Sequence, residues 1–267
     1  MARQTGPLKY KGTLGDVRHF KIKGLTGHYA GMVGGPTGDQ IKSAPEFART
    51  RENMNEFGGS AAAAKSVRAG LAQLMKQMSD SQLTGRLTGI MKKINLEDQS
   101  EARGQRAILI SQQGQYLKGL AFNKNVSFDG IFYAPYAITN PSRIESTLAM
   151  NDFVPANFIN APAGATHFRI INALSVISDF QFDDQSKTYV PVSPALNELS
   201  VVEYSDYKSL TAAGENNISL VAALPGTPTL NANVSVLASV GIEFYQQVGT
   251  TFYLFNSGNA LKIAEIF

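Results

Sequence analysis

Few side chains in this sequence are suited to acid–base or metal chemistry. It has no cysteine and only three histidines, His19, His28 and His167. Thiolate nucleophiles, disulfides and cysteine-based zinc sites are therefore excluded. His19 and His28 flank a predicted turn, but no carboxylate stands at a fixed spacing to complete a metal site with them. We interpret the histidines as surface positions on strands.

Motifs that cradle phosphate or activate a nucleophile are also missing. The glycine-rich segment 31–38 lacks a Gly-Lys-Ser/Thr ending, so it is not a P-loop, and we interpret its glycines as turns. No Gly-x-Ser-x-Gly elbow occurs. Asp179, Asp183 and Asp184 match no calcium-ligand spacing and indicate a solvated loop. We predict a protein that is not an enzyme and binds no cofactor or metal; a carboxylate pair assembled by folding stays open as the catalytic alternative.

Arg49 and Arg51 lie in the segment with the densest mixture of polar groups, residues 48–53. One interpretation is a clamp that binds a phosphate or carboxylate through bidentate arginine. The other is a structural network that ties a helix to the hairpin before it. We favour the structural interpretation.

Charge is distributed unequally along the chain. Residues 1–124 carry 19 Lys or Arg against 9 Asp or Glu, a net charge of +10, whereas residues 125–267 carry 5 against 12, a net charge of −7. Such asymmetry predicts an acidic partner: nucleic acid, an anionic surface, or the acidic half of another copy. No helix-turn-helix, oligonucleotide-barrel or RNA-recognition signature accompanies the basic residues.

Residues 1–42 predict a β-ribbon that forms an N-terminal arm. Apolar and basic residues alternate over 17–23 after a glycine-containing turn. We expect contacts to other copies, or to an anionic partner, through basic side chains and one aromatic: Lys9, Lys11, Arg18, Phe20, Lys21, Lys23, Arg49 and Arg51.

Residues 43–124 predict a basic helical region. Ser43 with Glu46 resembles a capping box, and Phe47, Met54 and Phe57 would then share one side of the first helix. The Gly-Gly-Ser run at 58–60 is expected to interrupt this helix. Two apolar stripes at helical spacing follow and predict an αα-hairpin with an ordinary core. The stripes are Val67, Leu71, Leu74, Met75 and Met78, then Leu83, Leu87, Ile90, Met91 and Ile94.

Residues 125–267 predict an acidic β-sandwich. Short runs of β-branched and aromatic residues recur between turn clusters, without intervening helices. They include residues 131–133, 167–171, 176–177 and 242–245, and residues 151–164 are expected to form a long connection between them. The predicted fold class is therefore α+β, with an N-terminal β-ribbon and helical hairpin before an antiparallel β-sandwich.

The N-terminal sequence has no apolar segment typical of a signal peptide, and no stretch approaches the roughly 18 apolar residues of a membrane-spanning helix. We predict a chain made in the cytoplasm without membrane insertion, and leave open whether it is released or assembled outside. Only 17% of its residues are charged, which hints that another molecule covers part of its surface.

The front half resembles families of uncharacterised bacterial proteins. The residues that carry this resemblance are the Lys-Gly-Thr-Leu-Gly-Asp run at 11–16, the Pro-Glu-Phe run at 45–47, and the Thr-Arg-Glu-Asn run at 50–53 followed by Phe57. Those families begin with a glycine-punctuated hairpin, continue into a helix with a Thr-Arg or Gln-Arg pair, and end in a β-sandwich region. The resemblance covers about residues 1–110 and implies no activity.

The function predicted from these features is that of a self-assembling structural subunit of a filament, tube, shell or virion. The ribbon would add to the sheet edge of a neighbouring copy, and a head-to-tail contact of this kind propagates unless it closes into a ring. One alternative is a carbohydrate- or surface-binding sandwich that stacks ligands on exposed tyrosines: Tyr133, Tyr136, Tyr189, Tyr204 and Tyr207. The other is nucleic-acid binding through the basic half.

Overall fold

A computed structural model describes residues 1–214 and 217–267 of the chain. It confirms the predicted α+β class, with strands at the N-terminus, helices after them and several antiparallel sheets in the second half. The chain divides into two compact units, Met1–Arg51 and Glu52–Phe267.

The first unit is a four-stranded antiparallel sheet followed by short helices. Its strands lie in the order β1, β4, β3, β2. Helix α1 (Gly38–Ser43) is followed by a 3-10 turn at Pro45–Phe47 and by the start of α2. The strands are β1 (Ala2–Arg3), β2 (Gly12–Leu14), β3 (Val17–Phe20) and β4 (Tyr29–Met32).

The helix start expected at Ser43 is instead the end of α1. The capping box is formed by Thr37 and Gln40, each side chain accepting from the backbone N–H of the other. At the far end of α1, the guanidinium of Arg51 donates to the carbonyl oxygens of Ile41 and Ala44, both at 2.8 Å. Arg51 therefore binds carbonyls at the C-terminus of α1, a structural contact to a helix rather than to the hairpin of the favoured interpretation.

The helices of the second unit are mostly near its N-terminal end. The Gly-Gly-Ser run does not interrupt α2, which continues through it to Gly70. The helices are α2 (Ala48–Gly70), α3 (Ala72–Met78), α4 (Leu83–Glu97), α5 (Ile110–Gln113) and α6 (Pro155–Phe158), with 3-10 turns at Gly114–Tyr116 and Phe128–Gly130.

The strands of the second unit form three antiparallel sheets. In the largest sheet the order is β10, β7, β13, β14, with β11 also paired to β7 and β15 to β13; a second sheet has the order β12, β6, β5, and β8 pairs with β9. The strands are β5 (Tyr136–Ser142), β6 (Glu145–Met150), β7 (His167–Ser178), β8 (Phe180–Asp183), β9 (Thr188–Pro191), β10 (Ser200–Tyr204), β11 (Lys208–Ser209), β12 (Ile218–Ala223), β13 (Val234–Val248), β14 (Thr251–Leu254) and β15 (Ala260–Ile266).

Three layers result, because the central strands β7 and β13 are buried on both faces. On one face, Phe168, Ile170 and Ile242 pack against residues of the three-stranded sheet such as Leu148 and Ile218, which makes the sandwich. The opposite face packs against the helices. Its contacts join Ile171, Ala173, Ile177, Leu237 and Leu261 to the predicted stripe residues Val67, Leu71, Leu74, Met78, Leu83, Leu87, Met91 and Ile94.

Neither the packing of α2 nor the backbone conformation of residues 131–133 follows from the sequence pattern. Met54 and Phe57 are exposed, and α2 instead buries a stripe of mostly small residues that includes Gly59, Ala63 and Gly70. Residues 131–133 follow a 3-10 turn and make a single bridge, from Phe132 to Ile159, rather than a strand.

Candidate functional site

The first unit is a sheet without a second layer. All 51 of its residues are described, and not one of them is buried; α1 buries nothing either. A sheet normally buries its apolar face against another sheet or a helix. Taken by itself, the first unit therefore contains no layer that covers its sheet.

One face of this sheet is apolar. Leu14, Val17 and Met32 stand opposite one another on three neighbouring strands, so their side chains share a face. Leu14 is 77% exposed and Met32 is 70% exposed. Tyr10 extends this face, since its ring meets the ring of His19, two positions along from Val17. We call this set the apolar arm face: Tyr10, Leu14, Val17, His19 and Met32.

The opposite face combines cations with aromatic rings. The guanidinium carbon of Arg18 lies 5.1 Å from the ring centroid of Phe20, within the range of a cation–π contact. Phe20 in turn lies opposite Tyr29, with the ring centroids 6.3 Å apart. The two faces of the arm therefore differ in chemistry and suit unlike partners.

The predicted contact residues Lys9, Lys11, Lys21 and Lys23 are all exposed in the first unit. Partial burial and then the positive charges of Lys21, Lys9 and Lys11 lower the pKa of His28. These three lysines therefore share one positively charged region. Arg49, at the start of α2, is exposed as well.

The exposed apolar residues of the arm are the functional candidates that sequence reasoning missed. Charge is visible in a sequence, so the lysines were identified, whereas the exposure of Leu14 or Met32 depends on whether a second layer covers the sheet. The signal available in the sequence was the shortness of the arm: no helix with an apolar stripe follows before residue 52 to cover it.

A second cluster, in the second unit, surrounds Arg169 on β7. Its guanidinium lies 4.4 Å from the ring centroid of Tyr204 and 4.9 Å from that of Tyr207. Tyr207 is also stacked on Phe252, with centroids 4.0 Å apart and planes at 3°. The ring of Tyr207 thus already contacts a cation and an aromatic partner.

Glu243 lies beside this cluster, opposite Arg169 in the strand pairing. It is 5% exposed and accepts a hydrogen bond of 2.6 Å from the hydroxyl of Tyr245. Burial raises the pKa of the Glu243 carboxyl, although the Tyr245 hydrogen bond and the charge of Arg169 act in the opposite direction. Burial therefore disfavours the ionised form of this carboxyl.

The other tyrosines proposed as stacking platforms have different surroundings. Tyr133 is 55% exposed, and its hydroxyl donates to the carbonyl of Gly130. Tyr136 packs against Phe128 and beneath the Lys262 ammonium. Tyr189 is only 8% exposed within the helix-facing core. Of the five, Tyr204 and Tyr207 are the pair that meet at a common partner, Arg169.

One buried carboxyl with several polar partners is that of Glu56 on α2, which is 1% exposed. It pairs with the ammonium of Lys92 on α4 and accepts from the backbone N–H of Gly104 at 2.7 Å. Burial alone would raise the pKa of this carboxyl, but hydrogen bonds from Lys92 and Gly104 together with nearby positive charge lower it. This ion pair and hydrogen bond join two helices and a loop, which is typical of a structural contact rather than a reaction centre.

In residues 1–214 and 217–267, no three His, Asp or Glu side chains lie together in a way that would hold a metal ion. Within the same residues, every helix is too short or too polar to cross a membrane.

Comparison with known proteins gives no assignment: no family model, no curated protein and no solved structure matches this chain. The resemblance to uncharacterised bacterial families therefore stays a prediction.

Proposed function

We propose that this protein is a non-enzymatic structural subunit that assembles with copies of itself through its N-terminal arm. One observation carries the proposal: the four-stranded sheet of the first unit has no buried residue. The arm has an ordered apolar face but lacks the layer that such a face requires. A second copy of the chain is the simplest source of that layer.

The energetics favour a missing partner. Ordering a residue of the backbone costs about 1–2 kcal/mol in conformational entropy, and this cost is normally offset by burial of apolar surface. In the folded arm, Leu14 and Met32 are still 77% and 70% exposed, so little of that cost is offset at these residues. Burying side chains of this size contributes about 1.5–3 kcal/mol each, so covering the apolar arm face would stabilise the arm and the contact together.

Charge supports another copy as the partner. The first unit has nine Lys or Arg against three Asp or Glu, a net charge of +6, while residues 125–267 have a net charge of −7. Opposite charges steer and orient an encounter more than they tighten it. A contact between unlike surfaces of identical chains repeats from copy to copy, as filaments, tubes, shells and virions require.

The mass of the protein in solution tests the proposal. We expect light scattering at low salt to show a mass that grows with concentration, and negative-stain images to show polymers or closed particles.

Leu14→Asp and Met32→Asp should each weaken assembly more than tenfold, because each removes about 1.5–3 kcal/mol of burial and desolvates a charge. Leu96→Asp and Met54→Asp are matched controls, since Leu96 and Met54 are 48% and 58% exposed in the second unit. A chain that stays monomeric at every salt and protein concentration would contradict the proposal.

Nucleic acid is the second candidate partner, favoured by the shared positive region of Lys9, Lys11 and Lys21. Phosphate contacts of this kind weaken steeply with salt. Filter binding of single- and double-stranded DNA and RNA from low to physiological salt is the test. Absence of salt-dependent retention eliminates this candidate.

A further inference from the structure

We infer that the arm docks by strand addition on the open edge of β12 in a second copy, using residues 8–14 as the added strand. This inference deepens the proposed function and rests on it. It names the receiving surface, the segment that fills it and the kind of contact, main-chain hydrogen bonds flanked by alternating side chains.

Strand β12 has the features of a receiving edge. In the described part of the chain it pairs with β6 alone and lies at the end of the three-stranded sheet. Its six residues contain no charge and no proline, and Val221 is 49% exposed. One of its carbonyls, that of Leu220, accepts from the side-chain amide of Asn172 at 2.9 Å. Edges without charge or proline are those that readily accept another strand.

The other edges in the second unit are less suited to this role. At the far side of the same sheet, β5 contains Pro141 and a register irregularity between Thr139 and Ser142. The outer edge of β15 is occupied, because the backbone N–H groups of Gly119 and Phe122 donate to Ile263 and Leu261. Strand β10 carries the charge of the exposed Glu203, and β14 has only four residues. Proline, charge and covering segments are the usual protections of strand edges.

Residues 8–14 have the pattern of an added strand. All seven are exposed, and the apolar Leu8, Tyr10 and Leu14 alternate with the polar Lys9, Lys11 and Thr13. Residues 12–14 already form β2, the outermost strand of the arm sheet, so one edge of β2 is free. The backbone N–H and carbonyl of Tyr10 are bonded to the side chain of Gln4, and docking would exchange these two hydrogen bonds for main-chain ones. At about 3.3 Å per residue, seven residues span about 23 Å and match the roughly 20 Å of six-residue β12.

Charge also matches across this contact. Ala223 of β12 stands opposite Glu145 on β6, and β12 packs against β10, which carries Glu203. Lys9 and Lys11 alternate with the apolar residues of the added strand. The ammonium groups of Lys9 and Lys11 would therefore lie near the carboxylates of Glu145 and Glu203, while β12 itself is neutral. This attraction would orient the added strand without burying a charge.

The absence of cysteine allows a clean crosslinking test. Leu14→Cys chains carrying a size tag are mixed with untagged Val221→Cys chains and treated with a short bis-maleimide. We expect a crosslinked heterodimer of the two. Val248→Cys is the matched control, because Val248 is 59% exposed at the end of β13; it should crosslink to Leu14→Cys at least tenfold less.

Two further measurements separate the outcomes. Val221→Lys should weaken assembly at least tenfold while Val248→Lys leaves it unchanged, with circular dichroism checking that both variants fold.

If the chain assembles but Val248→Cys crosslinks as well as Val221→Cys, or Val221→Lys has no effect, the β12 site is wrong and the proposed function stands. If no assembly occurs under any condition, the proposed function fails. If the Leu14→Cys/Val221→Cys double variant crosslinks within a monomer, the arm belongs to its own chain and both are overturned.

Discussion

At Gly59 and Gly70, helix α2 approaches its neighbours too closely for any side chain. A Cβ at Gly59 would overlap the ring of Tyr189, and one at Gly70 would overlap the hydroxyl of Ser175 on β7. Both glycines lie on the buried stripe of α2. The absence of a side chain therefore sets the distance at which this helix packs.

Adjacent glycines on α2 give a matched pair of substitutions. Gly59→Ala should lower the free energy of unfolding by about 1–3 kcal/mol, because the added methyl overpacks against Tyr189. Gly58→Ala should raise it by about 0.5–1 kcal/mol, since Gly58 is an exposed helix-interior residue with open space around its Cβ direction. Urea unfolding of the two variants measures both values. Equal effects of the same sign would show that α2 does not pack through Gly59.

These glycines also explain why residue-level prediction was wrong on α2. The Gly-Gly-Ser run predicts a break in the helix, and the large apolar Met54 and Phe57 dominate its hydrophobic pattern although both are exposed. Close approach selects small residues, and a sequence pattern based on hydrophobicity does not detect that selection. The long stripes from Val67 to Ile94 were predicted well, because large residues recurring at helical spacing do report a packed face.

At the scale of elements, one buried ion pair holds α2, α4 and the loop near residue 104 together. Lys92 also donates to the side chain of Asn95 at 2.8 Å, and Asn95 donates to the carbonyl of Arg106 at 2.6 Å. The Lys92 partner of Glu56 is therefore fixed by a further contact. Removing one member of such a pair leaves the other buried without its counter-charge.

Glu56→Gln tests how much this buried ion pair stabilises the fold. We expect a loss of about 2–3 kcal/mol in the free energy of unfolding at pH 7, below the full cost of a buried pair because Lys92 is partly exposed. The folded-state pKa of Glu56 is lowered, so its contribution is complete above the unfolded pKa of about 4.3. It is lost as pH falls below that value through the folded pKa. The difference between Glu56→Gln and the unmodified chain should therefore narrow below about pH 4.

The control for this measurement is Glu265→Gln, which removes the pair between Lys118 and Glu265, whose side chains are 55% and 39% exposed. Exposed pairs contribute about 0–1 kcal/mol. Urea unfolding from pH 3 to pH 7 gives both series. A Glu56→Gln loss no larger than that of Glu265→Gln would remove the structural role assigned to the buried pair.

Strand prediction succeeded where the pattern was local and failed where the context was tertiary. Strands β7 and β13 have 12 and 15 residues, yet the sequence indicated only fragments of each, since a strand buried on both faces loses the apolar–polar alternation. Residues 131–133 have strand-like composition, but after a 3-10 turn Ile131 and Phe132 pack in a core rich in aromatic rings. Tyr133 is exposed. Composition identified buried residues there without identifying their backbone conformation.

At the scale of the whole molecule, the sequence indicated the charge asymmetry and the arm but not the surface that makes the arm a candidate. Net charge needs no coordinates, so the positive arm residues could be predicted. Whether Leu14 and Met32 are covered depends on which elements pack on the sheet. Local sequence patterns do not predict such packing between distant segments. The open edge of β12 is likewise visible only once the sheet order is known.

Charge steering gives the last prediction. If the positive arm guides one copy to the negative part of another, Lys21→Glu/Lys23→Glu should slow association at low salt at least tenfold, as time-resolved light scattering would measure. Screening reduces the Debye length from about 30 Å at 0.01 M salt to about 3 Å at 1 M. The difference between this variant and the unmodified chain should therefore nearly vanish at high salt, because steering is a long-range effect on the association rate.

The matched control places the same charge change outside the arm. Lys65→Glu/Lys76→Glu alters two exposed lysines of α2 and α3 and shifts the net charge by the same amount. Steering by the arm requires the control to slow association much less than Lys21→Glu/Lys23→Glu. Equal slowing would mean that association depends only on the net charge of the molecule, and the arm would then have no role in steering. The apolar arm face could still stabilise the assembled contact.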